Sequence, residues 1–346
     1  MNEIGMRRRA TVHDVARVAG VSLATVDRVL NGRPGVRPQT VEKVEAAIGS
    51  LGFSRDLSAS LLARARDLRL LFIIPDGGNE FMARLAQAVA DATGPALPER
   101  THLQTLRVPA LDASALAAAL DRLDPRDCDC AVVVASDESE VMAAAERAEA
   151  RGLALMTLVS DLPGAQHRPF VGIDNVAAGR TAASLLGRFV QRGKIGVVAG
   201  SLHLRDHADR LLGFRSVLAS EFPEVEIVGP VEGHDEEAAT QVAVLQLLAE
   251  HPDLLGLYNL GAGNSGLVPA LEQRDPVGHL RVVAHELTGS TRAGLLSGTV
   301  DVVLDQNPDG EIRTAIGAAR ALVLGGGGTP PIDPIEIGIF LRDNLR

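Results

Sequence analysis

Ala10-Thr-Val-His-Asp-Val-Ala-Arg-Val-Ala-Gly-Val-Ser-Leu-Ala-Thr-Val-Asp-Arg-Val-Leu-Asn31 reads as helix, tight turn, helix. Val12, Val15, Ala16 and Ala19 recur at helical spacing, Gly20-Val21 breaks the first helix, and Ser22 is placed to cap the second. Val26, Val29 and Leu30 then face inward, and Asn31-Gly32 ends the segment. That leaves Leu23, Ala24, Asp27 and Arg28 on one outward face, since 23/27 and 24/28 are i,i+4 pairs. A short helix presented this way after a tight turn is what the DNA major groove admits. An ordinary helical hairpin with two exposed apolar residues is the alternative on spacing alone.

Working outward, Gly35 to Ile48 supplies a third helix, with Pro38 suited to its first turn and Val41, Val44, Ala47 and Ile48 as its apolar stripe. Residues 56–63 form a short fourth helical segment, too short to be stable alone. Net charge separates this head from the rest. Residues 1–66 hold 11 Lys and Arg against 6 Asp and Glu, and the remainder holds 23 against 38, within an overall −10. A basic head on an acidic body divides a phosphate-binding module from a soluble one.

The ordered set Thr11-Val-His-Asp-Val-Ala16, Gly20-Val-Ser22, Thr25-Val26, Arg28-Val-Leu-Asn-Gly32, Val36-Arg37, Leu51-Gly-Phe53, Ala59 and Leu62 resembles the lac repressor/gal repressor (LacI/GalR) family of bacterial transcription regulators. The resemblance implies an all-α helix-turn-helix headpiece over 1–55 and a hinge helix with linker over 56–67. It also implies an α/β effector domain of periplasmic-binding-protein type over 68–346, with parallel sheets. DNA contacts are implied for Thr11, His13, Ser22, Thr25 and Asn31 around the Leu23, Ala24, Asp27 and Arg28 face, and for Ala59 and Leu62 in the minor groove. Paired Leu62 wedges would unstack a central step and bend the operator. A homodimer on a palindromic operator follows from the same resemblance.

After Arg66, apolar runs at 68–75, 101–108, 130–135, 153–159, 170–173, 194–199, 226–231, 254–260, 280–284 and 300–304 alternate with amphipathic stretches such as 80–92, 114–123, 138–150 and 176–191. Near-continuously apolar strands between helices imply parallel sheets covered on both faces. Ten strands suit two lobes: lobe 1 near 68–172 and 306–332, lobe 2 near 173–305 and 333–346. Gly325 to Pro331 reads as a surface loop, since a phosphate cradle would want a Lys and a strand-to-helix setting.

In open α/β sheets, ligands sit outside the carboxyl ends of the strands. That rule nominates the loops at 75–81, Ser136, Asp174 (which ends the first strand of the second lobe), 200–210 with His207 and Arg210, 259–264 with Asn259, 285–286 with Glu286, and 305–307 with Gln306. The resemblance gives Arg210, Asn79, Phe81, Asn259, Glu286 and Gln306 roles in effector binding. Asp174 either contacts ligand or caps the following helix, and Phe81 either offers an aromatic face or is the first buried residue of its helix. This polar inventory suits a small polyhydroxylated, carbohydrate-like effector. A free sugar fits better than a phosphorylated one, because Arg210 is the single strong cation nominated and Glu286 would repel phosphate.

No Gly-x-Ser-x-Gly elbow or Walker loop occurs, and no enzyme and no cofactor are expected. His203 and His207 lack a third ligand at metal-site spacing, and Cys128 and Cys130 precede an apolar run and read as packing. Without a secretory h-region or a membrane-length apolar stretch, the expectation is a cytoplasmic protein, not a transport receptor with the same lobes. A repressor is the expected regulator, with an activator or a non-sugar effector as alternatives. Arg28, reading a guanine edge, should contribute about 1–3 kcal/mol of base discrimination. Arg28→Ala should therefore flatten operator preference in a competition binding assay. An unchanged preference refutes the assignment.

Overall fold

In a computed structural model the described residues are 10–30, 35–51, 67–93, 100–162, 168–274, 279–325 and 330–345. The calls on Asn31, Ala59, Leu62 and most of the Gly325–Pro331 loop lie outside them. The head is helical: α1 (Val12–Ala19), α2 (Leu23–Leu30) and α3 (Pro38–Leu51). Thr11 caps α1 through a reciprocal box with Asp14, whose carboxylate accepts from the Thr11 amide at 3.0 Å. Gly20 ends it at φ +67, a left-handed conformation that a Cβ would strain. Ser22 Oγ then accepts from the Thr25 amide at 3.2 Å and starts α2. Val15, Ala16, Ala19, Val26, Val44 and Ala47 form the buried centre of the three helices.

The body holds two sheets. The first runs β1 (Leu68–Asp76), α4 (Glu80–Ala92), β2 (Thr101–Pro109), α5 (Ala113–Arg122), β3 (Cys130–Val133), α6 (Ser139–Ala150), β4 (Ala154–Leu158) and β5 (Phe170–Val171). Its strands are all parallel, in the order β2-β1-β3-β4-β5. The second runs α7 (Asn175–Val190), β6 (Gly193–Ala199), α8 (Arg205–Glu221), β7 (Val225–Glu232), α9 (Glu237–Glu250), β8 (Leu254–Asn259), α10 (Asn264–Arg274), β9 (Arg281–His285), α11 (Gly289–Ser297) and β10 (Val302–Asp305). The chain then enters α12 (Pro308–Leu324) and closes with β11 (Gly338–Phe340). The second order is β11-β10-β9-β8-β6-β7, parallel except for β10–β11.

Each sheet is covered on both faces, as the apolar runs require. Phe72 and Ile74 of β1 join Leu85 and Ile316 from α4 and α12 on one side, while Ile73 joins Leu120 and Ala144 from α5 and α6 on the other. Cys128 and Cys130 are both buried and unbridged, and burial pushes the Cys128 thiol up to about 11. Two features depart from the sequence expectation. β5 pairs with β4 and so closes the first sheet instead of opening the second. β11 is an eleventh strand, whose three residues are too few to show a period. The chain thus passes between the lobes three times: after β5, after β10 and before β11.

α7 and α8 pack closely enough to exclude side chains. A Cβ on Gly179 would lie 1.9 Å from the Arg210 carbonyl oxygen, and one on Gly213 would lie 2.1 Å from that of Val176. Gly179→Ala should force the helices apart at a cost of about 1–3 kcal/mol. At roughly 2–4 °C per kcal/mol for a domain of this size, the loss should appear in thermal melting followed by circular dichroism. An unchanged melting temperature contradicts the contact.

Candidate functional site

The carboxyl ends of both sheets face a cavity of about 310 Å³ between the lobes. Of the nine residues nominated for an effector, seven line it: Asn79, Phe81, Ser136, His207, Arg210, Glu286 and Gln306. Asp174 does not. It is exposed and N-caps α7, accepting from the Ala177 amide at 2.9 Å. Asn259 does not either. Fully buried, it donates to the Ala262 carbonyl (3.1 Å) and to Asn264 Oδ1 (2.9 Å), so it shapes the loop that leads into α10. Phe81 is buried in the core beside α4 and also forms part of the cavity wall.

Arg210, on α8, is 1% exposed. Its Nε donates to Asn175 Oδ1 and its Nη1 to the Leu260 carbonyl, both at 2.8 Å. Nη2 has no hydrogen-bond partner and lies 3.8 Å from Asp206 Oδ2 and 3.7 Å from Glu286 Oε1. Among the described residues lining the cavity, Arg210 is the only Lys or Arg. Glu286 stands at the end of β9 with φ +69, and its Oε1 accepts from Gln306 Nε2 at 2.6 Å. Burial pushes its carboxyl up to about 8 against the opposing pull of Arg210. Asp206 Oδ1, Glu286 Oε2 and Gln306 Oε1 are buried and, like Arg210 Nη2, make no hydrogen bond in the protein. Such groups are costly unless a partner meets them, and so they mark where a ligand's polar atoms belong.

Beneath this floor, Tyr258 stacks on Phe214 with ring centroids 4.6 Å apart, and its hydroxyl meets His285 Nε2 at 2.8 Å. Burial holds His285 well below its ordinary value and so keeps it neutral. Glu311, in the first turn of α12, is also fully buried; burial and then the nearby Glu286 raise its carboxyl well above the ordinary range.

Several hydrogen bonds cross the cleft. Asn79 caps α4 through Oδ1 and donates from Nδ2 to Asp235 Oδ2 at 3.3 Å. The Arg205 amide donates to Ser160 Oγ at 3.1 Å, the Asp137 amide to the His203 carbonyl at 2.9 Å, and Thr288 Oγ1 to Glu80 Oε2 at 2.7 Å.

Sequence reasoning missed Asp206 and Asp235. Asp206 sits one helical turn before Arg210, and that spacing was a usable signal. Asp235 follows β7, a strand end outside the nominated loops. In the head, His13, Ser22, Leu23, Ala24, Asp27 and Arg28 are all exposed, whereas Thr11 and Thr25 are half-buried in capping contacts.

Residues 70–327 match the family described as periplasmic binding protein domain, and residues 11–56 match bacterial regulatory proteins of the lacI family. Catabolite control protein A of Priestia megaterium is 46% identical over 81 residues, 23% of this chain and 24% of that protein. This chain therefore spans about a quarter of the length of such relatives. The HTH-type transcriptional regulator GalR of Salmonella typhimurium (strain SL1344) is 28% identical over 75% of each chain. An ABC transporter solute binding protein from Burkholderia graminis C4D1M, solved with D-arabinose, superposes with a TM-score of 0.74 at 23% identity, covering 81% of this chain and 97% of that one. At that identity the likeness establishes fold alone. Among the described residues, no helix is long and apolar enough to cross a membrane.

Glu286 makes stability depend on pH. Its carboxyl titrates near 8 in the folded chain, against an ordinary value of 4.5, so the folded state keeps a proton that the unfolded chain releases. This contribution is complete below pH 4.5 and is lost as pH rises through about 8. Glu311 and Asp305 shift in the same direction. The urea midpoint of the ligand-free protein should fall between these pH values, and Glu286→Gln should fall less. An equal fall in both proteins contradicts the burial argument.

Proposed function

We propose that this chain, which belongs to the LacI/GalR family through its lacI-family and periplasmic-binding-protein domains, is a sequence-specific transcription regulator controlled by a carbohydrate-like effector. The observation that carries the proposal is a pairing within one chain. An exposed helix face suited to the major groove is joined to an inter-lobe cleft whose buried polar atoms have no partner in the protein. The division proposed is residues 1–55 for DNA, 56–67 as hinge and 68–346 for effector. Arg28, Leu23 and Ala24 read base edges. Arg210, Asp206, Glu286 and Gln306 take the effector's hydroxyls. A repressor acting as a cytoplasmic homodimer on a palindromic operator is the form proposed.

Control follows from the three crossings. Contacts made by one ligand to both lobes favour one relative orientation. Lobe 1 begins directly after the hinge, so that orientation sets the spacing of two hinges in a dimer. The coupling is reciprocal: if effector weakens operator binding, operator weakens effector binding by the same factor, typically ~5–150-fold. Sugar titrations with and without operator DNA, at fixed salt, should give affinities differing by such a factor. Equal affinities would mean that the cleft does not regulate DNA binding.

A further inference from the structure

The bonds that cross the cleft differ in where they sit. Two are made by backbone amides that the opposite lobe takes up. Arg205 is the first residue of α8, where the helix supplies its amide no acceptor, and Ser160 Oγ accepts from it at 3.1 Å. The Asp137 amide, in the loop after β3, donates to the His203 carbonyl at 2.9 Å. The Thr288–Glu80 bond joins two side chains, neither of which lines the cavity. The Asn79–Asp235 bond also joins side chain to side chain, but both of its residues stand in the cavity wall.

Asp235 is held in a position to reach across. It follows β7 at φ +57, directly after His234 at φ +53. Two successive non-glycine residues in the left-handed region cost free energy, and such conformations persist where the surroundings demand them. A Cβ on Gly200 would lie 2.0 Å from Asp235 Oδ1, and one on Gly261 would lie 3.0 Å from it, so the carboxyl fits between two glycines. There Oδ1 accepts from the Ala262 amide at 2.8 Å, and Oδ2 is the oxygen turned to lobe 1, accepting from Asn79 Nδ2 at 3.3 Å. Asn79 is fixed just as firmly. Its Oδ1 accepts from the Phe81 and Met82 amides at 2.9 and 3.1 Å, which leaves Nδ2 for the opposite lobe.

We propose that Asp235 is a positioning residue of the regulator: acting through Asn79, it is a strut by which the chain itself holds its two lobes in one orientation. This rests on the regulator reading, in which lobe orientation sets the spacing of the hinges. Both ends of the strut lie in the cavity wall, within reach of whatever occupies the cavity. An occupant can exchange that bond for contacts of its own, and occupancy then changes what holds the lobes together.

The test is hydrogen exchange of the full chain, read at the Asp137 and Arg205 amides, whose partners lie in the opposite lobe. Asp235→Asn is isosteric and tolerates the left-handed backbone, but its side-chain amide can keep only one of the two acceptances. Asn79→Asp keeps the α4 cap and sets one carboxylate against another. The two substitutions together restore the bond in the reverse direction. Each alone should speed exchange at both amides about threefold to tenfold, as loss of one hydrogen bond implies. The double variant should return to within about twofold of wild type. The Val134 and Val300 amides, which bond within a single lobe, should exchange at the wild-type rate throughout. Unchanged exchange at Asp137 and Arg205 in both single variants overturns the proposal. Acceleration that the double variant does not reverse also overturns it, because Asp235 would then act only through the Ala262 loop. The assay contains neither DNA nor sugar, so either failure leaves the regulator reading standing; that reading falls instead with equal affinities in the operator titrations.

Discussion

A guanidinium buried to 1% exposure must have its charge and its donors answered, and much of the second lobe is arranged around that demand at Arg210. Asn175 at the start of α7 and the Leu260 carbonyl after β8 each take one donor. Asp206 answers the charge from 3.8 Å without closing a hydrogen bond, and the Glu286 carboxyl lies 3.7 Å away. Gly179 and Gly213 allow α7 and α8 to approach closely enough for Asn175 to reach. The site is therefore pre-organised from behind, and the donor left over points where a ligand can use it.

The same economy explains which residues the sequence made legible. The head could be read because each punctuation mark has a local cause: Thr11 with Asp14, Gly20 in a left-handed turn, Ser22 ahead of α2. The strands could be read because burial on two faces writes an unbroken apolar run. The loops after those strands hold Arg210, Glu286 and Gln306. β11 was not legible, because three residues on an edge need neither period nor hydrophobicity.

Asn259 and Asp174 show the limit of the rule. A polar residue at a strand end serves the ligand, the next helix or the loop, and only the hydrogen-bond partners distinguish these. Asp235 shows the opposite limit. It reaches Asn79 from a left-handed backbone position, a conformation that composition does not announce. Pairing across the cleft depends on how two lobes meet, which no window of sequence contains.

The antiparallel strand β11 has a significance beyond topology. It covers the outer edge of β10, whose Val302, Val303 and Leu304 are fully buried. Stripped of that cover, β10 would present unpaired amides and carbonyls beside an apolar run, a template for pairing with another chain. The last short strand thus serves as a guard against aggregation, and the price of losing it would be paid in solubility before it was paid in ligand recognition.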